Sequence, residues 1–342
     1  MKHLMILLLT VLLLAALSTT TFAGAGNRTG SSGATELLIP VGTRDIAMGG
    51  STIATTNGVE ALFYNPAGTA KMKNSVGMYF SHMSYIADIG VDYGAVSANF
   101  EGLGVLSVSI KSLSIGDISE TTTLAPDGTG KTFSPQYFTV GLTYARQLSD
   151  RIAVGLTGNL VSERMSEVSA SGIAFNVGVM YENLGGVSGL SLGVVVKNIG
   201  PQMTFDGAGL YTQASVSTVN RGPTLYKIEA GAFELPSTLE FGVGYRRTFE
   251  ENTVLLSTTF QNNNYSDDEY KVGAEYAYQD ILFLRGGMGF SQKQSETDYI
   301  YGPTFGAGVH YMVGAIDLTF DYAFRSVDVF DNNHIFSLKL GF

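Results

Sequence analysis

From residue 75 onward, apolar and polar positions alternate with a period of two. In 315–325, Ile316, Leu318, Phe320, Tyr322 and Phe324 fall on one side, and Asp317, Thr319, Asp321 and Ala323 on the other. In 237–248, Leu239, Phe241, Val243 and Tyr245 oppose Glu240, Gly242, Gly244 and Arg246. The same split sets Tyr270, Val272 and Tyr276 against Lys271, Gly273 and Glu275, and Ile152, Val154 and Leu156 against Ala153, Gly155 and Thr157. A two-residue period means a strand whose faces meet different environments. About fourteen such segments can be counted, at 75–85, 88–100, 103–113, 136–147, 151–163, 169–181, 189–198, 237–248, 253–262, 268–278, 281–290, 303–312, 315–325 and 334–342. Connections 100–103, 147–151, 181–189, 248–253, 278–281 and 312–315 are short. Those at 113–136 and 198–237 are long and polar, with intermediate ones at 262–268, 290–303 and 325–334. If the first strand rises from the side of the short turns, all the longer connections fall on the opposite side, as in a closed barrel with an even number of strands.

The apolar faces are wholly greasy, whereas the opposite faces carry Gly, Thr and isolated charges. A water-soluble sandwich would crowd its polar face with Lys and Glu. The pattern therefore predicts an all-β fold, a transmembrane antiparallel β-barrel of about 14 strands whose greasy face meets lipid. Composition agrees, with 45% hydrophobic residues, 42 Gly, 18 Tyr and 20 Phe. Beyond the first residues, no continuous apolar segment is long enough to cross a membrane as a helix. The lumen-facing set includes Asp317, Asp321, Glu240, Glu275, Arg246 and Lys271. Such charges disfavour a greasy tunnel, and they can pair with residues of an inserted segment such as Arg44 or Asp45.

The first 74 residues do not alternate. Lys2 and His3 precede an apolar run over 4–17 and small residues up to Ala23, so 1–23 reads as a cleaved export signal. With no cysteine there is no lipid-attachment site and no disulfide framework. Residues 24–33 are rich in Gly, Ser and Asn. The stretch 42–68 then combines Gly49-Gly50 with Asn65-Pro66-Ala67-Gly68, residues that specify tight turns. Between them, 59–64 suffices for one or two helical turns, too little to stand alone in water. Residues 24–74 are thus expected to form an N-terminal plug inside a barrel spanning 75–342.

These residues carry a resemblance. Gly42, Arg44, Met48, Gly49 and Gly50, followed by Asn65, Pro66, Ala67 and Gly68, resemble the N-terminal motif of the PorV/PorQ family of outer-membrane proteins, related to FadL/TodX-type barrels. A second stretch, Lys197, Asn198, Gly200 and Pro201 followed by Leu235 and Pro236, is similar to another pattern of that family. The resemblance implies an outer-membrane barrel that takes part in type IX protein secretion and delivery to the cell surface. Secretion proteins or exported proteins would dock on the outer loops 113–136 and 198–237. The alternative it leaves open is a FadL-like channel, in which the plug moves to admit a hydrophobic ligand. The last strand ends on Phe342, in line with Phe336, Leu338 and Leu340, and a terminal aromatic resembles the signal read by the barrel-assembly machinery. The remaining partner expected is outer-membrane lipid.

Other chemistry is poorly supported. The net charge of −10, from 20 Lys+Arg and 30 Asp+Glu, disfavours a nucleic-acid partner. Residues 125–132 end in Gly-Lys-Thr but lack the first glycine and the following helix of a phosphate loop. The acidic run Asp267, Asp268 and Glu269 holds hard oxygen ligands without calcium-loop spacing. Four histidines occur with no nucleophile elbow and no paired-histidine zinc motif. No enzyme, cofactor or metal is expected.

Overall fold

The computed structural model describes residues 32–215, 222–291 and 299–342; the export signal expected at 1–23 lies outside them. Fourteen long strands form the wall: β1 Val76–Ser84, β2 Gly90–Phe100, β3 Gly104–Ser114, β4 Gln136–Gln147, β5 Ile152–Met165, β6 Val168–Glu182 and β7 Leu190–Ile199, then β8 Thr238–Phe249, β9 Asn252–Asn263, β10 Glu269–Tyr278, β11 Leu282–Ser291, β12 Tyr301–Val313, β13 Ile316–Val327 and β14 Asn333–Gly341. Every strand pairs antiparallel with its sequence neighbours, and β14 returns to pair with β1 from Gly77–Gly341 to Ser84–His334. Closure leaves no open sheet edge, the condition for a β-structure in lipid. Phe342 completes the seam, its N–H donating to the Val76 carbonyl at 2.9 Å.

The alternation resolves as expected. Phe80, Leu142, Leu160, Leu284, Phe305 and Phe320 point outward and are exposed, while the intervening Tyr79, Thr143, Asn159, Arg285, Thr304 and Asp321 are buried in the lumen. So broad an apolar exterior suits a bilayer and not water. Among the described residues no helix is long and apolar enough to cross a membrane.

Loop lengths depart from the expected parity at two points. On the outer side, β1 and β2 are joined through Ile86–Asp88, and β5 and β6 through Ser166 and Glu167 alone. Both turns place non-glycine residues at positive φ, Ala87 at 54°, Asp88 at 60° and Ser166 at 52°, so no glycine marked them in the sequence. The strand β12 also begins earlier than its pattern suggested, because it continues past Pro303 to Tyr301 through a bulge. Proline has no N–H for the ladder, which hides such an extension from sequence reading.

Residues 32–74 lie within the barrel as a series of single turns: Thr35–Leu38, Thr43–Ala47, Gly58–Glu60, Ala61–Tyr64 and Pro66–Lys71. Their buried side chains Val41, Ile46, Ala47, Val59 and Leu62 pack against Tyr79, Met83, Tyr93, Ala323 and Ile335 of the wall. The barrel's core is therefore the contact between plug and lumen.

Candidate functional site, a plug keyed into the barrel

The Asn65 to Gly68 tetrad packs closely against the wall at Gly155 and Gly178. Asn65 accepts from the Ala67 N–H at 3.1 Å and so caps the 3-10 turn Pro66–Lys71, with Pro66 at its first position. Its Nδ2 donates to the carbonyls of Ile53 at 2.9 Å and Val179 at 3.3 Å. One side chain thus ends a helical turn, ties the plug to itself and ties it to β6. Asn65→Ala would strand those buried carbonyls, and we expect it to weaken plug docking by about 1–3 kcal/mol. Faster hydrogen exchange at Ala67, with the wall amides unchanged, would register the loss.

The other half of the motif meets the opposite wall. Gly42, Gly49 and Gly50 sit at φ of 91°, 66° and 72°, angles that suit glycine. The reversal they allow places Met48, fully buried, against Gly273 and Gly287 of β10 and β11. A Cβ added at Gly287 would collide with the Met48 carbonyl carbon, and one at Gly155 of β5 with that of Pro66. Gly155, Gly273 and Gly287 are therefore slots for plug backbone.

Arg44 carries the electrostatic lock. Its Nε and second terminal nitrogen grip both Glu275 oxygens at 2.8 and 2.9 Å. Glu275 is also held by Arg285 Nε at 2.7 Å, and Arg285 reaches Asp321 at 2.5 Å. Glu60 of the plug takes Lys339 of β14 at 2.9 Å. All but Lys339 are buried, so each charge depends on its partner. Asp45 is the member left with least, 3.7 Å from Arg44 Nη1 and fully enclosed. Burial pushes its carboxyl up to about 7 against the pull of Arg44, with Glu60 adding to the rise. Burial alone would raise Glu60 too, but Lys339 and then Arg44 hold it below the ordinary carboxylate value.

The second motif lies at the outer end of the β7–β8 seam. Asn198, at φ 57°, donates its backbone N–H to Asn176 Oδ1 at 2.8 Å and its side-chain amide to the Pro236 carbonyl at 3.1 Å. A Cβ on Gly200 would collide with the Ile173 carbonyl oxygen and crowd Leu235. Pro201 is exposed. This knot holds both ends of the connection after β7 against the barrel, where Leu235 packs with Ala34, Leu37 and Met203. Lys197 pairs with Glu240 at 2.8 Å and lies over the rings of Phe63 and Tyr64, 5.2 and 5.6 Å from their centroids. The two sequence motifs, far apart in the chain, meet on the outer side of the plug.

The plug separates two vestibules. The inner one, about 720 Å³, is lined by Lys71, Lys73, Glu182 and Arg246. The outer one, about 570 Å³, has Ile46, Gly49, Gly50, Phe63 and Tyr64 as its floor, with Tyr85, Tyr137, Tyr301, Lys271 and Arg325 around it. Of the predicted lumen charges, Glu275 and Asp321 join the lock and Glu240 holds Lys197. Lys271 turns to Gln261 at 2.5 Å, and Arg246 faces the inner mouth. Asp317 pairs with His310 at 2.9 Å. His82 and His334 lie on the exterior, against Asp92 at 2.8 Å and the Tyr322 hydroxyl at 2.9 Å.

The acidic run is spent locally, Asp268 accepting from Asn262 at 2.8 Å and Glu269 lying 3.3 Å from Lys271. The loop resembling a phosphate loop folds onto a small hairpin, Thr129 and Lys131 bonding to the backbone of Glu120 at 2.8 Å each. Sequence reading missed Lys339, Asn176 and Tyr79, whose hydroxyl accepts from the Thr43 N–H at 3.0 Å. Their only signal is a lumen-facing position in the alternation, and it names no partner.

A family model described as "PorV: Type IX secretion system protein PorV" matches residues 23–231. No curated protein sequence matches this one. Among solved structures, the CymD monoaromatic hydrocarbon channel is similar with a TM-score of 0.54 and 14% identity, covering 89% of this chain and 98% of that one. The Pseudomonas putida toluene transporter TodX aligns with a TM-score of 0.51 and 12% identity, over 88% of this chain and 96% of the other. At such identities the likeness is one of fold.

Proposed function

Because this chain belongs to the PorV family of type IX secretion system proteins, we propose that it acts without catalysis as an outer-membrane docking partner in that pathway. In this reading a cleaved signal over 1–23 exports it, the terminal Phe342 guides barrel assembly, and secretion-system or exported proteins bind its outer loops. The observation that carries the reading is the knot formed by Asn198, Pro236 and Leu235. It fixes the base of the 200–236 loop to both the wall and the plug, which makes the outer face a platform rather than a set of free tethers. The loop it anchors displays apolar side chains that the fold itself does not use, Leu225 at 65% exposure together with Tyr211 and Ile228, and the neighbouring outer connection between β3 and β4 adds Leu124 at 95%. Exposed apolar groups on an ordered surface are the usual mark of a protein contact. A charged lock at the centre of the lumen also suits a barrel that stays shut while its surface works.

Photo-reactive groups placed at Leu124 and Leu225 are expected to capture secretion components or exported proteins in native outer membranes. Capture of no protein from either position would overturn the docking role.

One feature supports a second reading, a FadL-like channel for hydrophobic molecules. The ladder between β11 and β12 runs only from Leu282–Val309 to Gly287–Thr304, so the outer ends of these strands are not laddered to each other. Tyr299 covers that place by packing against Gly289. Co-purification of a hydrocarbon or lipid with the barrel, lost in Gly289→Trp, would favour this alternative.

A further inference from the structure

In the outer vestibule, Arg325 is a buried arginine without an acid. It lies on the lumen face of β13 and is only 7% exposed. Of the carboxylates nearby, Glu240 is held by Lys197, Glu269 by Lys271 and Asp321 by Arg285, and Glu36, which also lines the vestibule, makes no ion pair with Arg325. Among the described residues no carboxylate pairs with Arg325. Its Nε and Nη2 point at the amide oxygen of Asn333, at 3.1 and 2.8 Å, once that amide is oriented to accept. Its guanidinium carbon lies over the ring of Tyr301, 4.0 Å from the centroid, and over that of Tyr85 at 5.8 Å. The two tyrosines fix each other through a 2.5 Å hydroxyl contact. Nη1 has no acceptor among the described residues.

A guanidinium held over an aromatic ring, with one edge satisfied by a neutral amide, is preorganised for an anion. Burying it unpaired costs free energy that the amide and the rings only partly offset, and an incoming carboxylate would complete the pairing. The surroundings specify what the carboxylate is attached to. The vestibule wall here is Tyr85, Ile86, Ile89, Tyr301 and Ile39, an apolar and aromatic lining suited to a greasy or flat body.

We propose that the outer vestibule is a binding site for a carboxylate borne on an apolar group, with Arg325 as its anchor and Tyr301 and Tyr85 as its platform. The carboxylate can belong to a small amphipathic acid or to the C-terminus of a polypeptide, and the chemistry at Arg325 is the same. The site lies inside the rim, so it stands whether or not the outer loops dock secretion proteins.

Purified barrel in detergent would be titrated calorimetrically with phenylbutyrate and its amide, and with a short apolar peptide bearing a free C-terminal carboxylate and its C-terminal amide. The acid of at least one pair is expected to bind about tenfold or more tightly than its amide. Arg325→Gln should erase that preference, and Arg325→Lys should restore part of it. Preference confined to the peptide acid assigns the site to polypeptide termini, and preference confined to phenylbutyrate assigns it to small acids. Equal binding of acids and amides to the native protein, or no binding of either acid, overturns the proposal without recourse to a variant. Undiminished preference in a folded Arg325→Gln protein does so as well.

Discussion

Arg44→Ala is expected to unseat the plug while leaving the barrel folded. The guanidinium makes two short bonds to Glu275 across the interior, and both groups are enclosed. Removing one member of a buried, hydrogen-bonded pair typically costs about 3–5 kcal/mol, because the survivor stays buried without its counter-charge. Here the survivor is Glu275, which keeps Arg285 at 2.7 Å. The wall network of Glu275, Arg285 and Asp321 therefore persists, and the loss falls on the plug. In planar bilayers Arg44→Ala should conduct ions in long open events where the native protein is closed, and its thermal unfolding should remain that of a barrel. Arg44→Ala combined with Glu275→Gln should recover part of the closure, since position 275 then no longer holds a buried charge that has lost one of its two guanidinium partners. A single variant as tightly closed as the native protein would mean that packing alone holds the plug.

The second large effect is steric. Gly155→Val and Gly287→Val put branched side chains where the carbonyl carbons of Pro66 and Met48 press against the wall. Overpacking of a well-filled interior usually costs about 1–3 kcal/mol, and backbone on both sides here leaves little room to yield. Either substitution should expose the plug, measured as labelling of a cysteine introduced at Thr56, which is fully buried in the native protein. Gly94→Val is the matched control. It faces lipid on β2 and a Cβ there meets nothing within 4 Å, so labelling should not change. Equal labelling of all three variants and the native protein would show that the lumen accommodates the plug loosely.

Both effects arise at contacts whose participants could be named from the sequence but not matched. Arg44, Glu275 and Asp321 were legible as charges facing the lumen or the plug, because period two assigns a side to every strand residue. Arg285 sits in the run Leu284-Arg285-Gly286-Gly287, where the glycines weaken the alternation. Lys339 lies in a terminal strand dominated by its aromatic face. Likewise the lumen glycines were visible as a composition, but a missing side chain carries no mark of what fills the space. The outer turn at Ser166 is shorter than the break at 163–169 suggested for a related reason. Its left-handed residue is not glycine, and local chemistry does not announce it.

By itself the sequence determined the class of fold, the strand count and the sidedness of most loops. These follow from a two-residue period and from the length of polar breaks, which are local quantities. It also marked the two motifs, since turns of this kind require Gly, Asn and Pro at particular places. Only the tertiary structure decided that Asn65 reaches Val179, that Arg44 selects Glu275, and that Lys197 of the second motif covers Phe63 and Tyr64, next to Asn65 of the first. Closing the barrel sets which strands face each other across the lumen, and that distance is not encoded in any one segment. The unpaired Arg325 belongs to the same category, because a charge is recognised as unpartnered only when all its neighbours are in place.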